Sequence, residues 1–106
     1  METSARRVDK VIFSSNSQGE ISVYYVYVLK SNKDGKLYTG CTGNLRKRLS
    51  EHSDGNVRST RYRIPLELVY YEASRSKLDA LHREKYLKTT YGKRYLKNRL
   101  KGDLLI

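Results

Sequence analysis

Val23-Tyr24-Tyr25-Val26-Tyr27-Val28-Leu29, then Asn32-Lys33-Asp34-Gly35, then Leu37-Tyr38-Thr39-Gly40-Cys41-Thr42, is the stretch that decides the fold. The first run is made of Val, Tyr and Leu, the composition of a strand. The tetrad ends on Gly35, which adopts positive φ without a Cβ clash, and reads as a turn. The last run returns as a second strand. A hairpin built this way places Tyr27 and Tyr38 near each other on neighbouring strands.

Working outward, Asn44 can cap a helix that runs to about Ser53. Leu45 and Leu49, four apart, are expected to face the core. Arg48 and His52, also four apart, are expected to emerge side by side on the flank of that face, where helix meets sheet. Asp54-Gly55-Asn56 ends the helix. A basic loop follows, with Arg58, Arg61 and Arg63 interleaved with Ser59, Thr60 and Tyr62, and Pro65 closes it. Leu66 to Ala73 alternates as a third strand. Ser76 and Asp79 form a start signal close to a capping box, and the helix they open is expected to reach about Thr90. Gly92 is expected to break it, leaving Lys93 to Leu100 as a final short helix. Ala80, Glu84, Leu87 and Tyr91 make one continuous helical stripe, three members of which suit burial. Glu84 does not, because a carboxylate on an apolar stripe is costly unless paired or metal-bound. On the stripe alone, a salt bridge to Lys88 or Arg83 and a metal-binding role are both open.

The expected fold class is therefore α/β, more narrowly α+β. A small three-stranded antiparallel sheet is flanked by helices in the order β-β-α-β-α-α, over residues 21–106. Residues 1–20 read as a separate flexible N-terminal extension. They contain the polar run Ser14 to Gly19, and their apolar patch Val11-Ile12-Phe13 is either an added strand or part of the tail.

At 106 residues with 38% hydrophobic and 31% charged side chains, the chain suits one soluble domain with one modest core. No segment is long enough to span a bilayer, and no apolar run follows Arg6 and Arg7 as a secretory leader requires. With Cys41 as the single cysteine, no internal disulfide forms, and a reducing cytoplasm is expected. The net charge of +11 excludes a neutral, featureless surface and points to a polyanionic partner, above all nucleic acid. Solubility, or a ribosome or membrane-surface partner, is the blander alternative.

The ordered set Tyr25-Val26-Tyr27, Tyr38-Thr39-Gly40, Arg48 with His52, and Glu84 within His82-Arg83-Glu84-Lys85-Tyr86-Leu87-Lys88 resembles the GIY-YIG endonuclease superfamily, closest to its small single-domain bacterial members. The similarity covers about Ser22 to Leu100. The first triplet lacks the family's glycine and isoleucine. Cys41 stands where some relatives carry a lysine, and Leu96 where some carry an asparagine, Asn98 being out of register.

The resemblance implies hydrolysis of phosphodiester bonds in DNA with one Mg²⁺ (or Mn²⁺) ion per site and no small-molecule cofactor. It implies catalytic roles for Tyr27, Tyr38, Arg48, His52 and Glu84, with Glu84 as metal ligand and Arg48 gripping the scissile phosphate. A free phenol has a pKa of about 10, so Tyr27 or Tyr38 acts as a base only beside positive charge or a proton acceptor such as neutral His52. Tyr27 is the favoured base and Tyr38 the positioner, though the residues alone do not order them. Gly40 supports close approach of backbone, or merely ends a strand. Arg58, Arg61, Arg63, Tyr62, Lys93, Arg94 and Lys97 are the expected nucleic-acid contacts, with Arg99 on the same basic run, while Cys41 reads as packing and His82 as exposed. The expected function is a structure-selective DNA endonuclease of repair or recombination. The alternatives are a non-catalytic DNA- or RNA-binding module that keeps the fold, and an RNA- or ribosome-associated factor.

Overall fold

The computed structural model describes residues 22–104. The expected N-terminal extension, with its Val11-Ile12-Phe13 patch, lies outside the described residues.

The hairpin forms as the Val- and Tyr-rich composition and the Gly35 turn lead one to expect. Strands β1 (Tyr24–Ser31) and β2 (Leu37–Thr42) pair antiparallel in a register that sets Tyr27 opposite Gly40 and Leu29 opposite Tyr38. Strand β3 (Leu66–Ser74) pairs antiparallel with the other side of β1, so the order is β2-β1-β3, and the register slips at Val28/Leu29. Strand β1 runs two residues past the expected Leu29. Fully buried Ser31 sustains it: its hydroxyl donates to the Arg63 carbonyl at 2.6 Å and accepts from the Lys33 and Asp34 amides. Gly35 takes the left-handed conformation the turn requires, with φ of +72°.

Because strand side chains alternate, β1 serves two layers. Val26 and Val28 face one side and build the main core with Ala80, Leu87, Leu96 and Leu100. That side is covered by α2 (Lys77–Leu87) and α3 (Thr90–Arg99), followed by a single helical turn, α4 (Lys101–Leu104). Tyr25, Tyr27 and Leu29 face the other side, covered by α1 (Leu45–Ser53) and the loop after it. The caps fall where the side chains allow: Asn44 accepts from the Lys47 amide and Ser76 from the Asp79 amide. Arg83 ties α2 to β3 through both oxygens of Glu72, at 3.0 and 3.1 Å.

Four expectations change. The second long helix stops at Leu87 rather than about Thr90, because Thr89 caps a new helix by accepting from the Gly92 amide at 3.1 Å. Gly92 therefore lies inside α3 instead of breaking a helix. It is buried, and a Cβ there would overlap the Tyr86 carbonyl and the Leu87 backbone, so its bareness lets α3 fold back on α2. The restart also rotates the helical phase, so Tyr91 leaves the stripe and is 69% exposed. Leu45 and Leu49 are only half-buried, since among the described residues no second helical layer closes over α1. They line a depression with Tyr25 and Tyr71 rather than joining the main core.

Candidate active site

The site begins with the register. Gly40 faces Tyr27 across the ladder, and a Cβ on Gly40 would stand 2.5 Å from the Tyr27 ring carbon and hydroxyl. The bare glycine is the space the phenol occupies. Tyr38, two residues along β2, shares that face, and its ring centroid lies 6.4 Å from that of Tyr27.

His52 arrives from the last full turn of α1. It does not emerge beside Arg48 as expected. It turns inward and is 1% exposed, while the Arg48 side chain stays 37% exposed. Its Nε2 lies 2.8 Å from the Tyr27 hydroxyl and its Nδ1 2.8 Å from Thr60 Oγ1. Both ring nitrogens are thereby used, and the Tyr38 ring stacks edge-on against the imidazole at 5.3 Å. Thr60, wholly buried, is the residue the sequence did not reveal. It lies in an aperiodic loop, and only the folded path of residues 54–64 brings its hydroxyl under the helix.

Electrostatics set the protonation of this buried row. Burial raises the Tyr27 pKa above the ordinary phenol value, with Tyr38 and Glu84 pushing the same way and Arg48 opposing. The phenol is therefore protonated at neutral pH. Burial, aided by Arg48 and opposed by Glu51, lowers the His52 pKa, so its ring stays neutral and able to accept. The sign for stability follows. Unfolding lets His52 take up a proton below its unfolded value of about 6.5, so its contribution is complete above that pH and falls on acidification toward the lowered folded pKa. Urea midpoints are expected to drop less between pH 7.5 and pH 5.5 in His52→Gln than in wild type; equal drops would contradict a neutral buried ring.

Two charged groups approach the edge strand β2 from opposite layers. Arg48, on α1, lines a shallow depression of about 420 Å³ with Cys41, Thr42 and Glu51, and its Nη1 donates to Glu51 Oε1 at 2.9 Å. Glu84, on α2, is close enough to raise both the Tyr27 phenol and the Cys41 thiol. Of its two sequence partners, Lys88 is the one that pairs, at 3.0 Å, while Arg83 is taken by Glu72. Among the described residues no group of three or more His, Cys, Asp or Glu side chains could hold a metal ion. The described residues thus offer Glu84 as a single carboxylate, which fits a cation that keeps water and phosphate oxygens in its shell.

The expected nucleic-acid contacts separate into three groups. Arg58, Arg61 and Tyr62 are exposed, with the Arg61 guanidinium 5.0 Å over the Tyr62 ring. Arg63 is tied down, its Nε 3.3 Å from Asp34 Oδ2, so its guanidinium braces the hairpin turn. Lys93 and Lys97 line a groove of about 570 Å³ that includes Tyr38, whereas Arg94 lies 5.6 Å over the Tyr91 ring. His82 is exposed and Cys41 half-buried against the core, as the sequence suggests. No helix among the described residues is long and apolar enough to cross a membrane.

Known proteins resemble this chain over most of its described residues. Residues 23–99 match the family model described as the GIY-YIG catalytic domain. A UPF0213 protein of Clostridium perfringens is 49% identical over 65 residues, 60% of this chain and 69% of that one. One from Staphylococcus saprophyticus is 40% identical over 75 residues, 70% of this chain and 90% of that one. The solution NMR structure of a UPF0213 protein from Bacillus halodurans is 34% identical, covers 76% of this chain and 87% of its own, and has a TM-score of 0.49. With nearly all the described residues matched, this chain belongs to the GIY-YIG catalytic domain family.

Proposed function

We propose that this protein is a divalent-cation-dependent endonuclease that hydrolyses phosphodiester bonds in DNA. The observation that carries the reading is the buried row Tyr27–His52–Thr60, a two-bond proton path whose phenol feels the charges of both Arg48 and Glu84. A row kept for packing alone has no need of a guanidinium on one side and a carboxylate on the other.

Glu84 would hold Mg²⁺ or Mn²⁺. When bound, such an ion supplies positive charge to the phosphate and to the departing oxygen. The chain's residues do the rest. Arg48 binds the phosphate oxygens with the part of its fork that Glu51 leaves free. Water gives a proton to the Tyr27 oxygen as the phenol passes its own to His52 Nε2. The imidazolium so formed keeps its Nδ1–H on Thr60. Tyr38 positions the phosphate or the water, and Gly40 keeps the Tyr27 slot clear. Lys93, Lys97, Arg58, Arg61 and Tyr62 supply backbone attraction and stacking, which are indifferent to sequence. Nothing in this set reads base edges, so selectivity rests on nucleic-acid shape, as suits work on branched or damaged DNA in repair or recombination.

The experiment is a cleavage panel of supercoiled plasmid, branched DNA and structured RNA, with Mg²⁺ or with chelator. Nicking of DNA that needs Mg²⁺ and stops with chelator is expected. Binding without cleavage on every substrate would leave a nucleic-acid-binding module, and cleavage confined to RNA would change the substrate.

A further inference from the structure

We propose that Lys88 is a movable counter-ion: it holds Glu84 in the free protein and moves onto a backbone phosphate in the adjoining groove when a divalent cation takes the carboxylate. The inference rests on the reading of Glu84 as the cation's carboxylate and adds a residue and a sequence of events to it.

The geometry gives Lys88 two destinations. Its Nζ lies 3.0 Å from Glu84 Oε2. The same residue lines the groove of about 570 Å³ together with Lys36, Lys93, Lys97 and Tyr38. Among the described residues no acidic side chain lines that groove, and four lysines border a trough that includes a tyrosine of the site. That charge suits a chain of phosphates. Leu37, Leu87 and Leu96 give the trough an apolar floor, against which sugars or bases can lie.

The pair is also unequal. The Glu84 side chain is 20% exposed, and the Lys88 side chain 54%. The carboxylate is therefore fixed by its surroundings, while the ammonium sits on a flexible stem. That stem leaves the chain at the C-cap of α2, where no further helical turn hems it in. An exposed ion pair of this kind is worth a factor of about five at most in an equilibrium. A divalent ion, with twice the charge and direct coordination, displaces it readily. Once displaced, Lys88 can reach a phosphate lying in the groove it lines. The exchange leaves the free protein with a satisfied Glu84 and links cation binding to substrate grip.

Two measurements test this. The first is Mn²⁺ binding to the free protein, followed by electron paramagnetic resonance, for wild type, Lys88→Met, Lys36→Met and Glu84→Gln. Lys88→Met is expected to tighten Mn²⁺ by about two- to fivefold, since its competitor is gone. Lys36→Met leaves Mn²⁺ affinity unchanged. The second is the salt dependence of duplex binding in a Tyr27→Phe background, which slows cleavage. With Mg²⁺, Lys88→Met is expected to reduce the slope of log K against log salt by about one unit, the loss of one phosphate contact. With chelator the slope is expected to stay at the wild-type value. Lys36→Met lowers it in both conditions. Unchanged Mn²⁺ affinity in Lys88→Met, alongside its loss in Glu84→Gln, overturns the exchange while leaving the cation site standing. Equal slope changes with Mg²⁺ and with chelator also overturn it. Wild-type Mn²⁺ affinity in Glu84→Gln removes the assignment of Glu84, and the exchange with it.

Discussion

Tyr27→Phe is expected to fold and to bind DNA like the wild type, yet to cleave it about 10²–10⁴ times more slowly, the usual contribution of a positioned acid–base group. The substitution removes one oxygen. The ring still fills the slot opposite Gly40 and still meets the His52 ring edge-on at 5.6 Å. What goes is the 2.8 Å bond to His52 Nε2. Losing a partner for a buried polar atom costs about 1–3 kcal/mol of stability, which lowers the urea midpoint without abolishing the fold. The activity loss has a separate cause: the proton path from water to His52 is cut at its first link. The raised Tyr27 pKa shows why a path is needed, because burial keeps the phenol protonated and a phenolate alone would be too scarce. Single-turnover nicking and urea titration on the same preparation separate the two effects. A Tyr27→Phe protein that nicks at the wild-type rate would move the base elsewhere, with Tyr38 the first candidate.

Arg48→Ala is expected to lower the cleavage rate by about 10²–10³, the typical loss when one electrostatic donor to a developing charge is removed. Little stability goes with it. The Arg48–Glu51 pair is a partly exposed i,i+3 contact, with side chains 37% and 35% exposed, and such pairs contribute about 0.2–1 kcal/mol before solvent screening is counted. Arg48→Lys is expected to recover only part of the rate, since an ammonium keeps the charge and loses the planar fork. Binding is expected to weaken little, because many other cations attract the backbone. The check is the rate at saturating enzyme set beside the dissociation constant. A large loss of binding with an unchanged saturated rate would make Arg48 a docking residue instead.

Much of this was legible in the sequence, for reasons that can be named. The Val- and Tyr-rich composition of β1 and the turn residues ending on Gly35 point to the hairpin, and with it to the meeting of Tyr27 and Tyr38. Asn44 and Ser76 marked the helix starts, because side-chain oxygens there satisfy amides the helix leaves free. Glu84 stood out as a carboxylate on an apolar stripe, and the structure shows it half-hidden, answered by Lys88.

What stayed hidden depends on how the chain travels in three dimensions. Thr60 has no period or motif to betray it, since its value lies in where a loop crosses His52. His52 looked like an exposed flank residue because helical spacing fixes angles around an axis but not what lies over each angle. Tyr91 seemed continuous with Ala80 and Leu87 until Thr89 restarted the helix in a new phase. Arg63 looked like a free loop cation, and only the fold brings Asp34 to it. Except for Tyr91, where a local cap restarts the helix, the missing information is a contact between separate segments.

The proposed cation-dependent reaction rests on Glu84 as much as on the tyrosines, and removing that carboxylate tests the proposal most directly. Supercoiled plasmid is incubated with wild type or with Glu84→Ala in Mg²⁺, and nicking is followed beside DNA binding in the same buffer. The account predicts that Glu84→Ala binds the plasmid as tightly as wild type and does not nick it. Nicking by Glu84→Ala at the wild-type rate would contradict the proposed endonuclease site outright.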